Sequence, residues 1–323
     1  MGGLLTKRPA ARRLAVVGVG EPSRRLVHRL AASGRARPAG LFLPVTERRD
    51  LRTGEPRSRR GLDALLRLIR DDRVDGVIVV LPADARSLLP QCLESLRACP
   101  IDLWVAPVDG ARAEPPALVE IARRPLAGWR MPTKAALDRV MAMALLIVLA
   151  PLMLLIALVV RLDSPGPALF RQQRGGRGGV PFEILKFRTM RMGAERAPLP
   201  AGRGDGRVTR FGRFLRRTSL DELPQLLNVL KGEMSLVGPR PHAVAHDRLY
   251  AQLLPGYAAR YRVRPGLTGL AQVEGLRGEP VNLAAMAARL ERDLAYVAGW
   301  SLGLDLRILW RTLRMPLGHP RAY

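Results

Sequence analysis

Short apolar runs alternate with amphipathic stretches along the first third of the chain. In the amphipathic stretches apolar residues recur every three or four positions, which is the spacing of one helix face. Predicted strands lie at 14–20, 39–43, 75–82 and 101–107, and predicted helices at 23–32, 62–70 and 85–96. This alternation predicts a parallel α/β sheet with covering helices.

A run of 21 residues without a charge, 140–160, follows in the middle of the chain. A helix needs about 20 apolar residues to cross the core of a bilayer. A buried helix of a soluble domain is the alternative, but such helices seldom stay apolar on every face. The run therefore predicts a helix inserted in a lipid bilayer.

Pro151 stands near the centre of this run, where it removes one backbone hydrogen bond and bends the helix. Both flanks are basic, with Arg130, Lys134 and Arg139 before the run and Arg161, Arg171, Arg174 and Arg177 after it. Basic flanks favour a cytoplasmic position for both ends. A re-entrant helix bent at Pro151 meets that condition better than a spanning one.

The residues from 109 to 132 are rich in Pro, Ala and Arg and separate the two patterns. We place an α/β domain at 1–128 and a mainly helical, α+β, membrane-embedded domain at 129–323. The first predicted strand ends in a Gly-rich turn, Gly18 to Ser23, but a third glycine and an acidic residue after the second strand are missing. We predict no cofactor in the first domain.

Lys and Arg number 53 against 28 Asp and Glu, a formal net charge of +25. The partner is therefore expected to be an anion, such as a phosphorylated small molecule, an anionic membrane or a nucleic acid. Nucleic acid is disfavoured because no recognition motif occurs and aromatic residues make up 5%. Cys92 and Cys99, without a histidine at ligand spacing, indicate a reducing compartment and no structural zinc.

The segment 216–226, RRTSLDELPQL, joins the carboxylates Asp221 and Glu222 to the arginines Arg216 and Arg217. In a first helical turn, the helix dipole and the arginines would favour an ionised Asp221. An ionised carboxylate can attack phosphorus, and both carboxylates can help to hold Mg²⁺ at a diphosphate. The alternative is structural: Ser219 and Glu222 also fit an S-x-x-E capping box.

Two further turns hold an arginine beside proline: Arg240 between two prolines, and Arg264 before a Pro-Gly pair. A fixed guanidinium is well suited to a diphosphate. Lys186 and Arg188 lie in a basic segment after the apolar run. Each is either a phosphate ligand or part of a solvated basic surface.

Together these segments resemble the bacterial sugar transferase family, the polyprenyl-phosphate hexose-1-phosphate transferases, also called monotopic phosphoglycosyl transferases. The resemblance spans about 134–313. Its motifs, in family order, are Asp138 with the apolar helix, SPGP at 164–167, F-x-Q-x-R-x-G from Phe170, KFRTM from Lys186, R-V-T-R from Arg207, TSLDELPQL, GPRP and VRPGLTG. The first domain looks like the Rossmann-like, CoA- or nucleotide-binding-like domain of the larger subclass, in which four membrane helices usually precede it; we expect this chain to lack them.

The resemblance implies a covalent mechanism. Asp221 would attack the β-phosphorus of a UDP-sugar, release UMP and pass the phosphosugar to undecaprenyl phosphate, with Mg²⁺ required. Glu222 would assist as a metal or acid/base partner. The family also implies a re-entrant helix broken at a proline, here Pro151; some members have Ser before that proline, where this chain has Ala150.

The resemblance further implies a bacterial inner-membrane enzyme whose catalytic domain faces the cytoplasm. It would carry out the first membrane step of exopolysaccharide, O-antigen or glycoconjugate synthesis. The alternative is a catalytically idle membrane scaffold of polysaccharide assembly. The identity of the sugar and the presence of a homo-oligomer stay open.

Overall fold

The computed structural model describes residues 12–34, 36–44, 61–81, 87–106, 118–126, 128–192, 205–278 and 282–315. The chain divides into two compact units between Pro125 and Leu126, close to the predicted boundary after residue 128. Residues 109–117 of the predicted linker lie outside the described residues. Each unit is described by itself.

A five-stranded sheet forms the centre of the first unit, in the order β2-β1-β3-β4-β5. The strands are Arg12–Gly18 (β1), Ala36–Phe42 (β2), Gly76–Val80 (β3), Asp102–Val105 (β4) and Val119–Ala122 (β5), and the helices are Gly20–Ala32 (α1), Leu62–Arg70 (α2) and Leu89–Arg97 (α3). The first four strands are parallel, and β5 is antiparallel to β4. The predicted α/β architecture is confirmed. The order differs from the 3-2-1-4-5-6 order of dinucleotide-binding domains, so the Rossmann-like assignment stays a prediction.

The turn after β1 is filled by the protein's own atoms. Ser23 is fully buried, and its Oγ donates hydrogen bonds to the carbonyl oxygens of Val19 at 3.2 Å and Val80 at 3.3 Å. A Cβ atom on Gly18 would collide with Ser23 Oγ and with the Val80 carbonyl. Glycine is therefore required there for the close packing of α1 on the sheet.

The second unit is mainly helical. Its strands form an antiparallel hairpin, β6 with β7, and a short parallel pair, β8 with β9. The strands are Leu169–Gly175 (β6), Pro181–Phe187 (β7), Ser235–Val237 (β8) and Gly266–Thr268 (β9); the helices are Arg130–Asp163 (α4), Arg210–Thr218 (α5), Gln225–Lys231 (α6), Val244–Leu253 (α7), Leu270–Val273 (α8), Leu283–Gly299 (α9) and Leu302–Leu313 (α10). Among the described residues, 3₁₀ turns lie at Arg177–Gly179, Leu220–Glu222 and Tyr257–Arg262.

Helix α4 contains the predicted apolar run of 140–160 and extends it at both ends to 34 residues. Within the described part of the chain it is the one helix long and apolar enough to cross a membrane, judged by length and composition. Most apolar side chains in its middle are exposed, including Ile147, Val148 and Leu154. The helix continues on both sides of Pro151.

Buried charges attach the start of α4 to the rest of its unit. Lys134 Nζ lies 2.6 Å from Asp305 Oδ2 on α10 and 3.5 Å from Asp138 Oδ2. Tyr296 donates to Asp305 Oδ1 at 2.8 Å, and Ser235 Oγ donates to Asp138 Oδ2 at 2.6 Å. All five side chains are buried, so these bonds are shielded from water and join α4, α9, α10 and β8.

We predict that Asp305→Ala destabilises the second unit strongly. It would leave Lys134 with only the longer contact to Asp138, remove the acceptor of Trp300 and leave Tyr296 with the Val237 carbonyl alone. Breaking a buried ion pair costs about 3 to 5 kcal/mol. Thermal unfolding in detergent measures the effect. The control is Glu274→Gln, which breaks a half-exposed pair with Arg292 and should cost at most about 1 kcal/mol. Equal shifts for the two variants would contradict the prediction.

Candidate active site

The two adjacent carboxylates lie on the 3₁₀ turn Leu220–Glu222, between α5 and α6. Helix α5 ends at Thr218, and the next residue, Ser219, has a left-handed backbone with φ of 59°. A left-handed residue commonly ends a helix and redirects the chain. The reversal at Ser219 brings Asp221 and Glu222 back over the end of α5.

Apolar residues on either side fix this turn against the membrane helix. Leu220 and Leu223 pack on a buried cluster that contains Ile156 and Val160 of α4 and Leu215 of α5. Asp221 and Glu222 stand between these two leucines in the sequence, so packing of the leucines positions both carboxylates. The turn is therefore held beside the second half of α4.

Glu222 is the centre of an ion-pair cluster drawn from three separate segments. Lys186 on β7 donates to Glu222 Oε1 at 2.7 Å. Arg240 donates to both carboxylate oxygens, with Nη1 lying 3.0 Å from Oε2. The capping-box alternative is wrong, because the Ser219 side chain makes no capping hydrogen bond to this turn and Glu222 is used by the two cations. Burial opposes ionisation of Glu222, but Arg240 and Lys186 outweigh it and hold its pKa well below the usual range.

Asp221 differs from its neighbour. Its side chain is 7% exposed, and no residue that the structure describes donates a hydrogen bond to its carboxylate. Burial raises the pKa of Asp221 above its ordinary value, although Lys186 partly offsets this. The prediction that its surroundings favour the ionised form is therefore wrong in its net direction, because desolvation outweighs the cations and the three-residue turn is no helix start.

The two arginine turns lie side by side, although 24 positions separate Arg240 from Arg264 in the sequence. The pairing of β8 with β9 joins them: Gly238 N donates to Thr268 O at 2.9 Å, and Gly266 N to the carbonyl of the proline before Arg240 at 2.9 Å. A Cβ on Gly266 would collide with the backbone of Gly238. Glycine is required at this crossing, which the sequence alone did not indicate.

The remaining predicted phosphate ligands have different positions. Arg216 Nε donates to Thr189 Oγ1 at 2.7 Å, and its charge lowers the pKa of Asp221 against the effect of burial. Arg217 is exposed on α5. Arg188 is buried. It donates hydrogen bonds to two carbonyl oxygens at the end of α4, that of Val160 at 3.3 Å and that of Ser164. Arg188 therefore caps the membrane helix, and we leave it and Arg217 out of the site.

Residues that sequence reasoning missed extend the cationic cluster. Burial and the charge of Arg240 lower the pKa of Arg277, and the charge of Glu222 partly offsets this. Arg289 is 6% exposed, and burial followed by Arg240 lowers its pKa too. Arg289 and Asp293 lie in the same helical stripe of α9 as the buried Met286. Charged residues in an apolar stripe were the available signal for an inward-facing cluster.

A buried hydrogen-bond network supports Arg240 from behind. Arg260 Nη2 donates to the carbonyl oxygen of Arg240 at 2.6 Å and to Asp293 Oδ2 at 2.9 Å. Arg260 Nη1 lies 2.7 Å from His242 Nδ1 and 2.8 Å from the Tyr257 hydroxyl. His242 thus has partners that the sequence did not reveal. Arg260 ties the Arg240 turn to α9, so the position of Arg240 depends on this network.

The site offers few ligands to a metal ion. Over the described ranges no group of three or more His, Cys, Asp or Glu side chains could hold one. Mg²⁺ is commonly bound by one or two carboxylates together with substrate phosphates. Glu222 accepts three hydrogen bonds from Lys186 and Arg240, out of about four sites on an ionised carboxylate. Asp221 and the one remaining acceptor site of Glu222 could therefore hold Mg²⁺ only together with an anionic ligand that also binds the ion.

Comparison with known proteins gives a consistent picture. The sequence profile of the bacterial sugar transferase family matches residues 129–319. A UDP-glucose:undecaprenyl-phosphate glucose-1-phosphate transferase of Caulobacter vibrioides is 57% identical over 59% of this chain and 72% of its own length. One of the same name from Xanthomonas campestris pv. campestris is 38% identical over 99% of this chain and 69% of its own length. The exopolysaccharide production protein PSS of Rhizobium leguminosarum bv. phaseoli is 46% identical over 59% of this chain and 98% of its own length.

We predict opposite stability effects for the two adjacent carboxylates. A raised native pKa means that Asp221 costs stability increasingly as the pH rises above the pKa of Asp in the unfolded chain, about 3.9, and costs most once it is ionised in the folded protein as well. Asp221→Asn should therefore be more stable than wild type at pH 8, by about 1 to 3 kcal/mol. The difference should shrink as the pH falls towards about 4, where Asp is protonated in the unfolded chain.

Glu222→Gln serves as the matched contrast. Because its native pKa is lowered, Glu222 stabilises the fold at every pH above about 4.3 and loses that contribution below it. The glutamine variant should be less stable than wild type throughout pH 5 to 8. Thermal unfolding of the three proteins across this range checks both signs; a destabilised Asp221→Asn at pH 8 would refute the first.

Proposed function

The chain belongs to the bacterial sugar transferase family, and on that basis we propose that it transfers glucose 1-phosphate from UDP-glucose to undecaprenyl phosphate and releases UMP. Its class, phosphoglycosyl transferase, agrees with the names of its relatives. Glucose is proposed because both the Caulobacter and the Xanthomonas relatives are named for it. The name of the Rhizobium relative supports a role in exopolysaccharide synthesis.

The observation that carries the proposal is the contrast between Asp221 and Glu222. Glu222 is held as a carboxylate by Lys186 and Arg240, whereas Asp221 beside it receives no hydrogen bond from the described residues. A buried carboxylate with unshared lone pairs, next to fixed cations, suits nucleophilic attack on a phosphate. Desolvation also makes an ionised oxygen more reactive than it is in water.

In the first half of the proposed reaction, an oxygen of Asp221 bonds to the β-phosphorus of UDP-glucose. The bond from that phosphorus to the bridging oxygen breaks, and UMP leaves with the electron pair. In the second half, a phosphate oxygen of undecaprenyl phosphate bonds to the same phosphorus. The bond to Asp221 then breaks, which restores the carboxylate and yields undecaprenyl diphosphoglucose.

The fixed cations would stabilise the charge on the transferring phosphate. Arg240 is rigid because prolines flank it and Arg260 holds its carbonyl oxygen. Lys186 is fixed on β7, and Arg277 lies close enough to Arg240 and Glu222 to interact with their charges. The backbone turn of Arg264 lies beside that of Arg240. Mg²⁺, shared by Asp221, Glu222 and the diphosphate, would supply further positive charge when bound.

Packing around α4 supports a re-entrant arrangement of this helix. Ala142 near its start packs with residues of α6, and Ile156 further along packs with Leu215 of α5. The two contact points are about 21 Å apart along the helix, at about 1.5 Å per residue, which is less than the roughly 30 Å of a bilayer core. Because α5 and α6 are consecutive in one compact unit, we propose that both ends of α4 lie on the cytoplasmic face of the inner membrane.

The same packing supports access for a lipid substrate. The turn bearing Asp221 shares its apolar cluster with Ile156 and Val160 of α4. A membrane helix beside the nucleophile would place the phosphate of a polyprenyl carrier at the level of the headgroups. An idle scaffold, the second candidate, has no need for a buried carboxylate with unshared oxygens beside fixed cations, and the intact Asp221, Glu222 and Arg240 favour the enzyme.

We predict that purified protein in nanodiscs releases UMP from UDP-glucose when undecaprenyl phosphate and Mg²⁺ are present. A panel of UDP-galactose and UDP-N-acetylated sugars tests the donor. Asp221→Asn should lose at least about a thousandfold in rate, since removal of a covalent nucleophile typically costs that much or more. EDTA should abolish turnover. Folded wild-type protein that releases UMP from none of these donors would favour the scaffold.

We further predict that cysteines introduced at Arg130 and Asp163, the exposed ends of α4, react from the same side of the membrane. A membrane-impermeant maleimide should label both in inverted vesicles and neither in spheroplasts. The native Cys92 and Cys99 are buried, so background labelling should be low. Labelling of one position in each preparation would establish a spanning helix instead.

A further inference from the structure

A buried arginine on α9, Arg289, forms no ion pair with any carboxylate that the structure describes. Arg289 on α9 is 6% exposed. Its Nη2 donates to the Gly278 carbonyl at 2.6 Å, and its Nε has no hydrogen-bond partner. A buried, unpaired charge is costly, so an anion is expected to complete this environment.

His242 is a second incomplete donor in the same region. It is 9% exposed, and Arg260 Nη1 lies 2.7 Å from its Nδ1. A guanidinium can only donate, so Nδ1 accepts and the ring proton is carried by Nε2. His242 Nε2 is buried and has no hydrogen-bond partner. The network therefore leaves one N–H donor of a neutral imidazole unused.

The charges that face His242 come from every element packed around it. Beside burial, four cations lower the pKa of His242. Arg260 and Arg289 have the largest effects, followed by Arg174 on β6 and Arg240. Arg289 in turn is repelled by Arg240 and Arg260 and attracted by Asp293, which lies four residues further along the same helix. Of the nearby carboxylates, Asp293 accepts from Arg260, and Asp247 Oδ1 accepts from Tyr257 and lies 3.8 Å from His242 Nδ1, the ring nitrogen opposite Nε2. The unused N–H of His242 thus faces an excess of positive charge.

We propose that Arg289 and His242 Nε2–H form an anion subsite that binds a phosphate group of a substrate, beside the Glu222–Arg240 pair. Phosphate oxygens are strong acceptors that would satisfy the guanidinium and the imidazole N–H together. Arg260 holds the histidine in the required tautomer. The identity of the phosphate rests on the proposed function. It belongs either to the nucleotide sugar or to the polyprenyl carrier.

The test combines steady-state kinetics with direct binding. His242→Phe keeps the ring volume but removes the donor, and His242→Gln restores an N–H near Nε2. Arg289→Gln removes the charge. Arg292→Gln is the matched control, because Arg292 lies on the same helix in a half-exposed pair with Glu274. UMP release is measured while UDP-glucose and undecaprenyl phosphate are varied in turn, and UMP binding is measured by calorimetry.

We expect His242→Phe and Arg289→Gln to raise the KM for one of the two phosphate substrates about ten- to a hundredfold, the loss of a hydrogen bond to a charged group. The kcat should change much less, His242→Gln should recover most of the effect, and Arg292→Gln should stay within about twofold, as surface changes usually do. A raised KM for UDP-glucose with weaker UMP binding assigns the nucleotide; a raised KM for undecaprenyl phosphate alone assigns the carrier. A fall in kcat with both KM values unchanged overturns the subsite.

Two controls separate the subsite from the reaction and from folding. If wild type binds UMP but releases none, the proposed function fails, while a loss of UMP binding in His242→Phe still supports the subsite. If the variants do not fold, ¹⁵N-histidine spectra of wild type decide. One histidine should carry its proton on Nε2 and shift when UMP or undecaprenyl phosphate is added. Unchanged spectra with both ligands overturn the proposal.

Discussion

The ion-pair cluster around Glu222 is the interaction on which the site depends. It joins β7, through Lys186, and the turn after β8, through Arg240, to the turn between α5 and α6. A carboxylate buried with two cations is stabilised only when the geometry is good, because both signs of charge lose their hydration. Formation of this cluster therefore requires the surrounding fold to be complete. The cluster also makes the two adjacent carboxylates different. Glu222 is ionised and hydrogen-bonded to the two cations, whereas Asp221 has a raised pKa and accepts no hydrogen bond from the described residues.

Two arginines near the Arg240 turn, Arg260 and Arg289, are buried. Arg289 forms no ion pair with a described carboxylate, and burial together with the charge of Arg240 lowers the pKa of Arg277. Such an arrangement costs stability in the absence of a ligand, and a diphosphate or phosphate can recover that cost on binding. The network of Arg260, His242 and Asp293 holds the arginine turns in place against their mutual repulsion.

The membrane helix is part of this architecture. Lys134 and Asp305 attach its first turns to α10, and Arg188 caps its last turns. Its second half packs on the leucines that flank Asp221 and Glu222. The proposed membrane helix and the proposed nucleophile consequently share one apolar cluster. The described residues of the first unit contain no comparable cluster of buried ion pairs. Its Gly-rich turn is filled by Ser23.

Local pattern and composition determined much of this protein. Apolar periodicity located the α/β sheet, its helices and the membrane helix, because each buries one face or one run of residues that the sequence displays directly. The motifs around Asp221, Arg240 and Arg264 identified the chemistry and the family. Tertiary structure alone decided the partners of Glu222, the direction of the pKa shift of Asp221 and the structural use of Arg188. Desolvation and ion pairing depend on distances between segments far apart in the chain, such as Lys186, Glu222 and Arg240, and no local pattern encodes those distances.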